Sequence, residues 1–343
     1  MRVSCVKEHM AGVPLAAVLC SFACSLMCAA DTVLIKSDRL LLQHDATMSN
    51  LAPSLSAVAE VVASYDAKTL LITAKKSASE HWQIFEVRAD GQELRQITNC
   101  LSDCGNGAYL PDGRIAFTVR AAAGSYLAVM QSDGTSFERI TFGPGNFELL
   151  GVMLDGRILL SQAGSLFGIR PDGTGLESVS CDHSKHGGIR LTDSQRVELV
   201  PRPRPRRLWS TLKPELGIGH LISLDSRVSS PDVGGRLKTT PSAVRVQSLD
   251  ANGTTSELGT APVESDGSFF VAVPADRAVR FELLDARGNS IRREKTWIWA
   301  RSGEERGCVG CHAEKAVSPQ NHWPQTLKRF DTPTPLTGDA HAK

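Results

Sequence analysis

An all-β fold in two parts is predicted by three features of this sequence. Apolar and polar residues alternate at a period of two through most of the chain, Asp-Gly turn signals recur, and one strand-turn-strand pattern repeats. Glycine is plentiful at 29 residues and aromatic residues make up only 6%, which favours short strands and tight turns over a helical bundle. At 343 residues the chain has room for two modest domains. Apolar residues at 41% and charged residues at 22% are ordinary for a globular protein. A net charge of +1 gives no electrostatic basis for binding nucleic acid or an anionic membrane.

Residues 1–30 read as a signal peptide and are set aside from the fold. Arg2, Lys7 and His9 make a weakly basic start, Ala11 to Ala30 carries no charge, and Cys28-Ala29-Ala30 supplies small residues before Asp31. The uncharged run of about 20 residues is also long enough to stay as an anchor. Lipidation at Cys20, Cys24 or Cys28 is disfavoured, because Leu19, Ala23 and Met27 make no good lipobox. A cleaved leader implies export to the periplasm or beyond, an oxidising setting, and no membrane span in the mature chain. Nine cysteines then reduce to Cys100, Cys104, Cys181, Cys308 and Cys311.

Residues 31–228 carry the repeat. "WQIFEVRADGQELRQIT" (82–98), "SYLAVMQSDGTSFERIT" (125–141) and "SLFGIRPDGTGLESVS" (165–180) each give a strand, an Asp-Gly turn at Asp90, Asp133 or Asp172, and a second short strand. Between them lie "YLPDGRIAFTVR" (109–120), "VMLDGRILLSQ" (152–162) and, weakly, "LTDSQRVELV" (191–200), with "SYDAKTLLITAK" (64–75) ahead of them. Asp-Gly tolerates positive φ and suits a two-residue hairpin turn. Two hairpins at a period of roughly 40 residues is the pattern of four-stranded propeller blades, about four to five by length, with closure left open. The pattern resembles the PD40 (WD40-like) repeats of TolB-type periplasmic propellers. Met130 and Met153 fall on alternating strands as core. Pro201–Arg207, "PRPRPRR", reads as a stiff linker or edge segment.

Residues 229–303 form a second β region, a small sandwich. Its strands are marked by Val244, Val246 and Leu249; by Phe269, Val271 and Val273 after the Asp266-Gly267 turn; by Val279, Phe281, Leu283 and Leu284; and, on the last, by Ile291, Trp297 and Trp299.

Residues 304–343 follow, with Cys308-Val309-Gly310-Cys311-His312 near their start. A redox dithiol expects a βαβ setting that is missing here. A zinc knuckle expects a second local ligand pair. Covalent haem attachment accounts for every residue type: Cys308 and Cys311 form thioethers with the vinyl groups, and His312 is the proximal iron ligand. Upstream, Cys181, His183 and His186 are a candidate distal iron ligand set or a second metal site, such as zinc, against the reading of an exposed Gly-rich loop with incidental histidines. His322 reads as a solvated tail residue against the alternative of a distal ligand, Lys315 sits too near His312 for a distal role, and His81 and His220 read as ordinary surface or packed histidines. Cys100 and Cys104 are the disulfide candidate.

The segment from Leu258 to Asn321 resembles the middle domain of the hydrazine synthase alpha subunit family. The matching residues are Pro262-Val263-Glu264, Asp266-Gly267-Ser268-Phe269, Val273 to Asp276, Glu282 to Asp285, Trp297, Gly303-Glu304 and Cys308 to Glu314; "VELVPRPRPRRLWS" (197–210) leads into it. The resemblance implies a propeller followed by a haem-bearing middle domain, one covalent haem c, a redox partner protein and membership of a multi-haem complex. The family's subunit continues into a further domain with a second haem, and its haem has a tyrosine close after the motif. This sequence has one CxxCH, no such tyrosine, and about thirty residues after His312. Fold and haem are therefore expected here, and hydrazine synthesis is not. Three functions follow as expectations: a periplasmic monohaem c-type cytochrome passing electrons with the propeller as docking surface; a redox enzyme subunit acting on small nitrogen compounds; and a non-redox propeller scaffold whose haem is structural.

Overall fold

The computed structural model describes residues 30–179, 195–229, 235–239, 241–250, 252–309 and 323–338. Among these, every regular element is a strand apart from two 3-10 turns, Pro214–Leu216 and Gln325–Lys328. No helix among them is long and apolar enough to cross a membrane.

The first region is four antiparallel sheets of four strands. β1 (Thr32–Lys36), β2 (Arg39–His44) and β3 (Thr47–Asn50) form a meander. The second sheet is β4 (Ala57–Ala63), β5 (Thr69–Lys75), β6 (Gln83–Arg88) and β7 (Arg95–Gln96). The third is β8 (Asp103–Tyr109), β9 (Ile115–Ala121), β10 (Gly124–Met130) and β11 (Glu138–Arg139). The fourth is β12 (Phe147–Val152), β13 (Ile158–Gln162), β14 (Ser165–Ile169) and β15 (Glu177–Ser178). β16 (Arg196–Glu198) pairs Val197 with Val33 of β1. The "RVELV" stretch therefore does not open another hairpin. It completes the first sheet from the far end of the region, in the order β16-β1-β2-β3. The inner strands neighbour one another: β16 lies beside β4, β4 beside β8, and β8 beside β12.

The repeat has a local chemical reason. In each Ile-Thr ending the isoleucine is buried and its amide donates to the third strand of the sheet: Ile97 N to Ile84 O, and Ile140 N to Leu127 O. The threonine hydroxyl then accepts the amide across from it, Thr98 Oγ1 from Ile84 N and Thr141 Oγ1 from Leu127 N. The Asp-Gly turns correct the two-residue expectation. Gly91 N donates to Arg88 O and Arg88 N to Gln92 O, and the same pair of bonds recurs at Gln131–Thr135 and Arg170–Thr174. Each is a type I turn closed by one glycine at positive φ (Gly91 +83°, Gly134 +88°, Gly173 +82°), a three-residue loop with a bulge. The aspartate stays at negative φ because its carboxylate accepts the amide two residues on, as Asp90 does from Gln92 and Asp133 from Thr135. Met130 and Met153 are buried as expected.

"PRPRPRR" is more than a linker. Arg202 N donates to Tyr65 O at 2.8 Å and Arg206 N to Leu154 O at 3.0 Å, so the segment straps the second sheet to the fourth. Its extended backbone leaves these amides free to reach sideways.

The second region is a sandwich of two sheets. β17 (Ile218–Ser223), β20 (Phe269–Pro274), β23 (Glu305–Cys308) and β24 (Thr334–Pro335) make one, ordered β23-β17-β20-β24. β18 (Ala243–Leu249), β19 (Thr255–Pro262), β21 (Ala278–Leu284) and β22 (Ser290–Arg293) make the other, ordered β19-β18-β21-β22. Leu221, Val244, Val246, Phe269, Val271, Phe281 and Leu283 fill the space between them. Three sequence expectations change. The sandwich takes in β17, so by pairing its first strand lies ahead of residue 229. The last expected strand is shorter: β22 ends at Arg293, and Trp299 packs away from the sandwich, against Phe142 and Phe147 in the core of the fourth sheet. The 304–343 segment is partly built into the sandwich, with β23 parallel to β17 and β24 parallel to β20. These pairings join residues far apart in sequence, so no local period announces them.

Candidate functional site

Cys308 is the last residue of β23. It stands opposite Ser223 of β17 in parallel register, and its carbonyl accepts Leu224 N at 2.9 Å. Among the described residues it is the one free cysteine. Its thiol borders a cavity of about 150 Å³ walled by Leu221, Ile222, Phe269, Phe281 and Ile298, with Ser223, Glu294, Thr296 and Arg306 as its polar members. Burial pushes the thiol pKa up; the Arg306 charge opposes this, and Glu294 and Glu304 add to it. Ser223 is only 3% exposed, and its Oγ has no hydrogen-bond partner.

The strand that ends in Cys308 is held by a charged joint to the propeller region. Arg301 is 5% exposed. It donates Nε to Asp276 Oδ1 and Nη2 to Glu138 Oε1, both at 2.6 Å, donates Nη1 to the Asp172 carbonyl, and lies over the Phe142 ring. Glu304 accepts Arg301 N through Oε2 at 2.8 Å and Gly175 N through Oε1 at 3.1 Å. Trp299 Nε1 donates to Gly173 O at 3.1 Å. The third Asp-Gly turn, 171–175, is therefore part of the propeller's contact with the sandwich, together with Glu138 and Phe142. Arg306 crosses the same joint, giving Nη1 to Trp299 O at 3.0 Å and Nη2 to Leu176 O at 3.1 Å.

Behind the cavity, the Asp266-Gly267-Ser268 turn gathers two other segments. Asp266 Oδ2 accepts Gln325 N and Ser268 Oγ accepts Thr326 N, which dock the residues after the CxxCH motif. Gly267 sits against Asp225, which is buried and paired with Arg227 and Arg236.

Of the residues singled out in the sequence, Cys308 is at this site. Cys311, His312, Lys315, His322, Cys181, His183 and His186 lie outside the described residues. Cys100 and Cys104 are joined as a disulfide with Cα atoms 6.4 Å apart, at the edge of the third sheet and far in sequence from Cys308. His81 pairs with Asp103 and His220 with Glu305, both partly exposed. Among the described residues no three metal-binding side chains cluster. Sequence reasoning missed Arg301, Arg306 and Ser223. The one local signal was a pair of arginines either side of Gly303-Glu304, and arginine composition alone points outward to solvent.

These features define an all-β protein in which a propeller-type region is clasped to a sandwich, one edge strand of which ends in a cysteine beside an apolar cavity. Residues 229–313 match the family model of the hydrazine synthase alpha subunit middle domain. That range holds the matching elements from Pro262 to His312, so the segment is similar to that middle domain. The whole fold is similar to Kuenenia stuttgartiensis hydrazine synthase, with a TM-score of 0.71 at 14% identity, covering 87% of this chain and 71% of that one. A putative TolB from Agrobacterium tumefaciens aligns at 16% identity over 71% of this chain and 88% of its own, with a TM-score of 0.37 that adds no weight. No curated protein matches the sequence.

Proposed function

We propose that this chain is an exported monohaem c-type electron-transfer protein, with haem held covalently by Cys308 and Cys311 and His312 as proximal iron ligand. The carrying observation is Cys308 itself, a free thiol closing an edge strand of a segment that matches the hydrazine synthase alpha middle domain, beside an apolar cavity with an orphaned buried hydroxyl. Leu221, Ile222, Phe269, Phe281 and Ile298 suit an apolar macrocycle edge, and a buried hydroxyl without a partner marks a wall that is incomplete as it stands. When bound, the haem supplies a one-electron iron couple. The chain's part is positional. β23 fixes Cys308 through its parallel pairing with β17, the docked 323–338 segment returns the chain to the sandwich, and the propeller offers a face for a redox partner.

The test is production in a host with cytochrome c maturation, followed by denaturing electrophoresis with haem staining. The wild-type band stains, and the Cys308→Ala/Cys311→Ala variant does not. A variant that keeps its haem after denaturation sinks the reading. A second reading, a redox subunit acting on small nitrogen compounds, is favoured by the likeness to hydrazine synthase over 87% of the chain. Six-coordinate low-spin iron argues for electron transfer, and five-coordinate high-spin iron for this alternative.

A further inference from the structure

We propose that Arg306 is the fixed charge that raises the reduction potential of the group bound at Cys308, an inference that rests on the haem reading above. Arg306 lies two residues before Cys308 on β23, so both side chains project to the same face of the strand and both line the one cavity. The strand separates them by roughly 7 Å along its axis.

What distinguishes Arg306 is how it is held. Arg301 is neutralised by Asp276 and Glu138, Arg245 by Glu257 and Glu282, and Arg227 by Asp225, whereas Arg280 is bound by the Gln247 amide and Arg292 by the Gly235 carbonyl. Arg306 is anchored instead by two main-chain carbonyls, those of Trp299 and Leu176. Among the described residues no carboxylate reaches ion-pair distance of it. Carbonyl dipoles fix a guanidinium without cancelling its charge. The other charges nearby are two glutamates: Glu304, bound to the amides of Arg301 and Gly175, and Glu294 on the cavity wall, which has an interaction of its own.

Ferric haem gains one electron on reduction and loses one positive charge, with no bond made or broken at the protein. A fixed cation in a poorly solvated wall therefore disfavours the ferric form and favours the ferrous one. A unit charge about 10 Å from the iron, at an effective dielectric near 20, would change the reduction equilibrium about tenfold.

The experiment is a mediated spectroelectrochemical titration of the holoprotein. Arg306→Gln keeps a donor for the two carbonyls and removes the charge, so the equilibrium constant falls about tenfold, equal to about 59 mV for one electron. Arg306→Lys keeps the charge and stays close to wild type. An unmoved potential in Arg306→Gln, or an equal fall in both variants, overturns the inference. Should Arg306→Gln not fold, Arg306→Met removes the same charge at a similar side-chain length: its potential falls about as far, and no change overturns the inference equally. Wild-type protein lacking covalent haem would sink the haem reading instead, so the two failures are distinguishable.

Discussion

Gly267 shows how much of the site depends on single positions. It holds φ at +85°, and a Cβ there would collide with Asp225 Oδ1. Asp225 cannot yield, because Arg227 and Arg236 fix both its oxygens and Arg227 also donates to the Asp266 carbonyl. Gly267→Ala is expected to cost about 2–3 kcal/mol, the left-handed penalty plus displacement of this cluster, read as a lower urea midpoint. A change below about 0.5 kcal/mol would mean the turn tolerates a methyl group. The aspartate and serine of that turn were legible in the sequence as a turn signal. Their second task, binding Gln325 and Thr326, was not, because the partners lie some sixty residues away.

At the scale of elements, the sandwich buries a charge on the face that alternation turns away from the core. Glu282 on β21 is 1% exposed and bound by Arg245 from β18 and by Arg293 from β22. Burial alone would push its carboxyl up, but hydrogen bonds from Ser290, Arg293 and Arg245 outweigh it and hold the pKa below its ordinary value of 4.5. Asp225 follows the same pattern, burial being outweighed by Arg227 and Arg236. A lowered carboxyl gives stability that is complete above its unfolded value and is lost as pH falls through the folded one. Asp276 has the opposite sign: burial raises it despite Arg301, so it loses stability as pH rises through the acid range. The test isolates Glu282. Glu282→Gln is expected to cost about 2 kcal/mol at neutral pH, narrowing as pH falls below about 4. Urea titrations at both pH values measure the gap, and a gap independent of pH refutes the assignment. β18, β20 and β21 were legible because period-two patterning writes each strand locally. β17 and β23 were not recognisable as neighbours, since parallel pairing across about eighty residues leaves no local trace.

For the whole molecule, the propeller region and the sandwich are joined by buried polar chemistry, and that has a thermodynamic consequence. Trp299 fills the core of the fourth sheet from the sandwich side, while Arg301 binds Asp276 on one side and Glu138 and the Asp172 carbonyl on the other. A buried charge with all its partners in place is weak evidence for stability, but removing it strands those partners at a cost of about 3–5 kcal/mol. Asp276 belongs to the sandwich and Glu138 to the third sheet, so this cost falls on the contact between the regions. Arg301→Ala is therefore expected to do more than lower the melting temperature. Wild-type protein should unfold in one calorimetric transition, because neither region can leave without exposing Trp299 and breaking the joint. The variant should show two, with the sandwich transition moved away from that of the propeller. One unsplit transition at an unchanged temperature would show that the regions are coupled by apolar contact alone, and that the buried arginine serves only to orient the strand leading to Cys308.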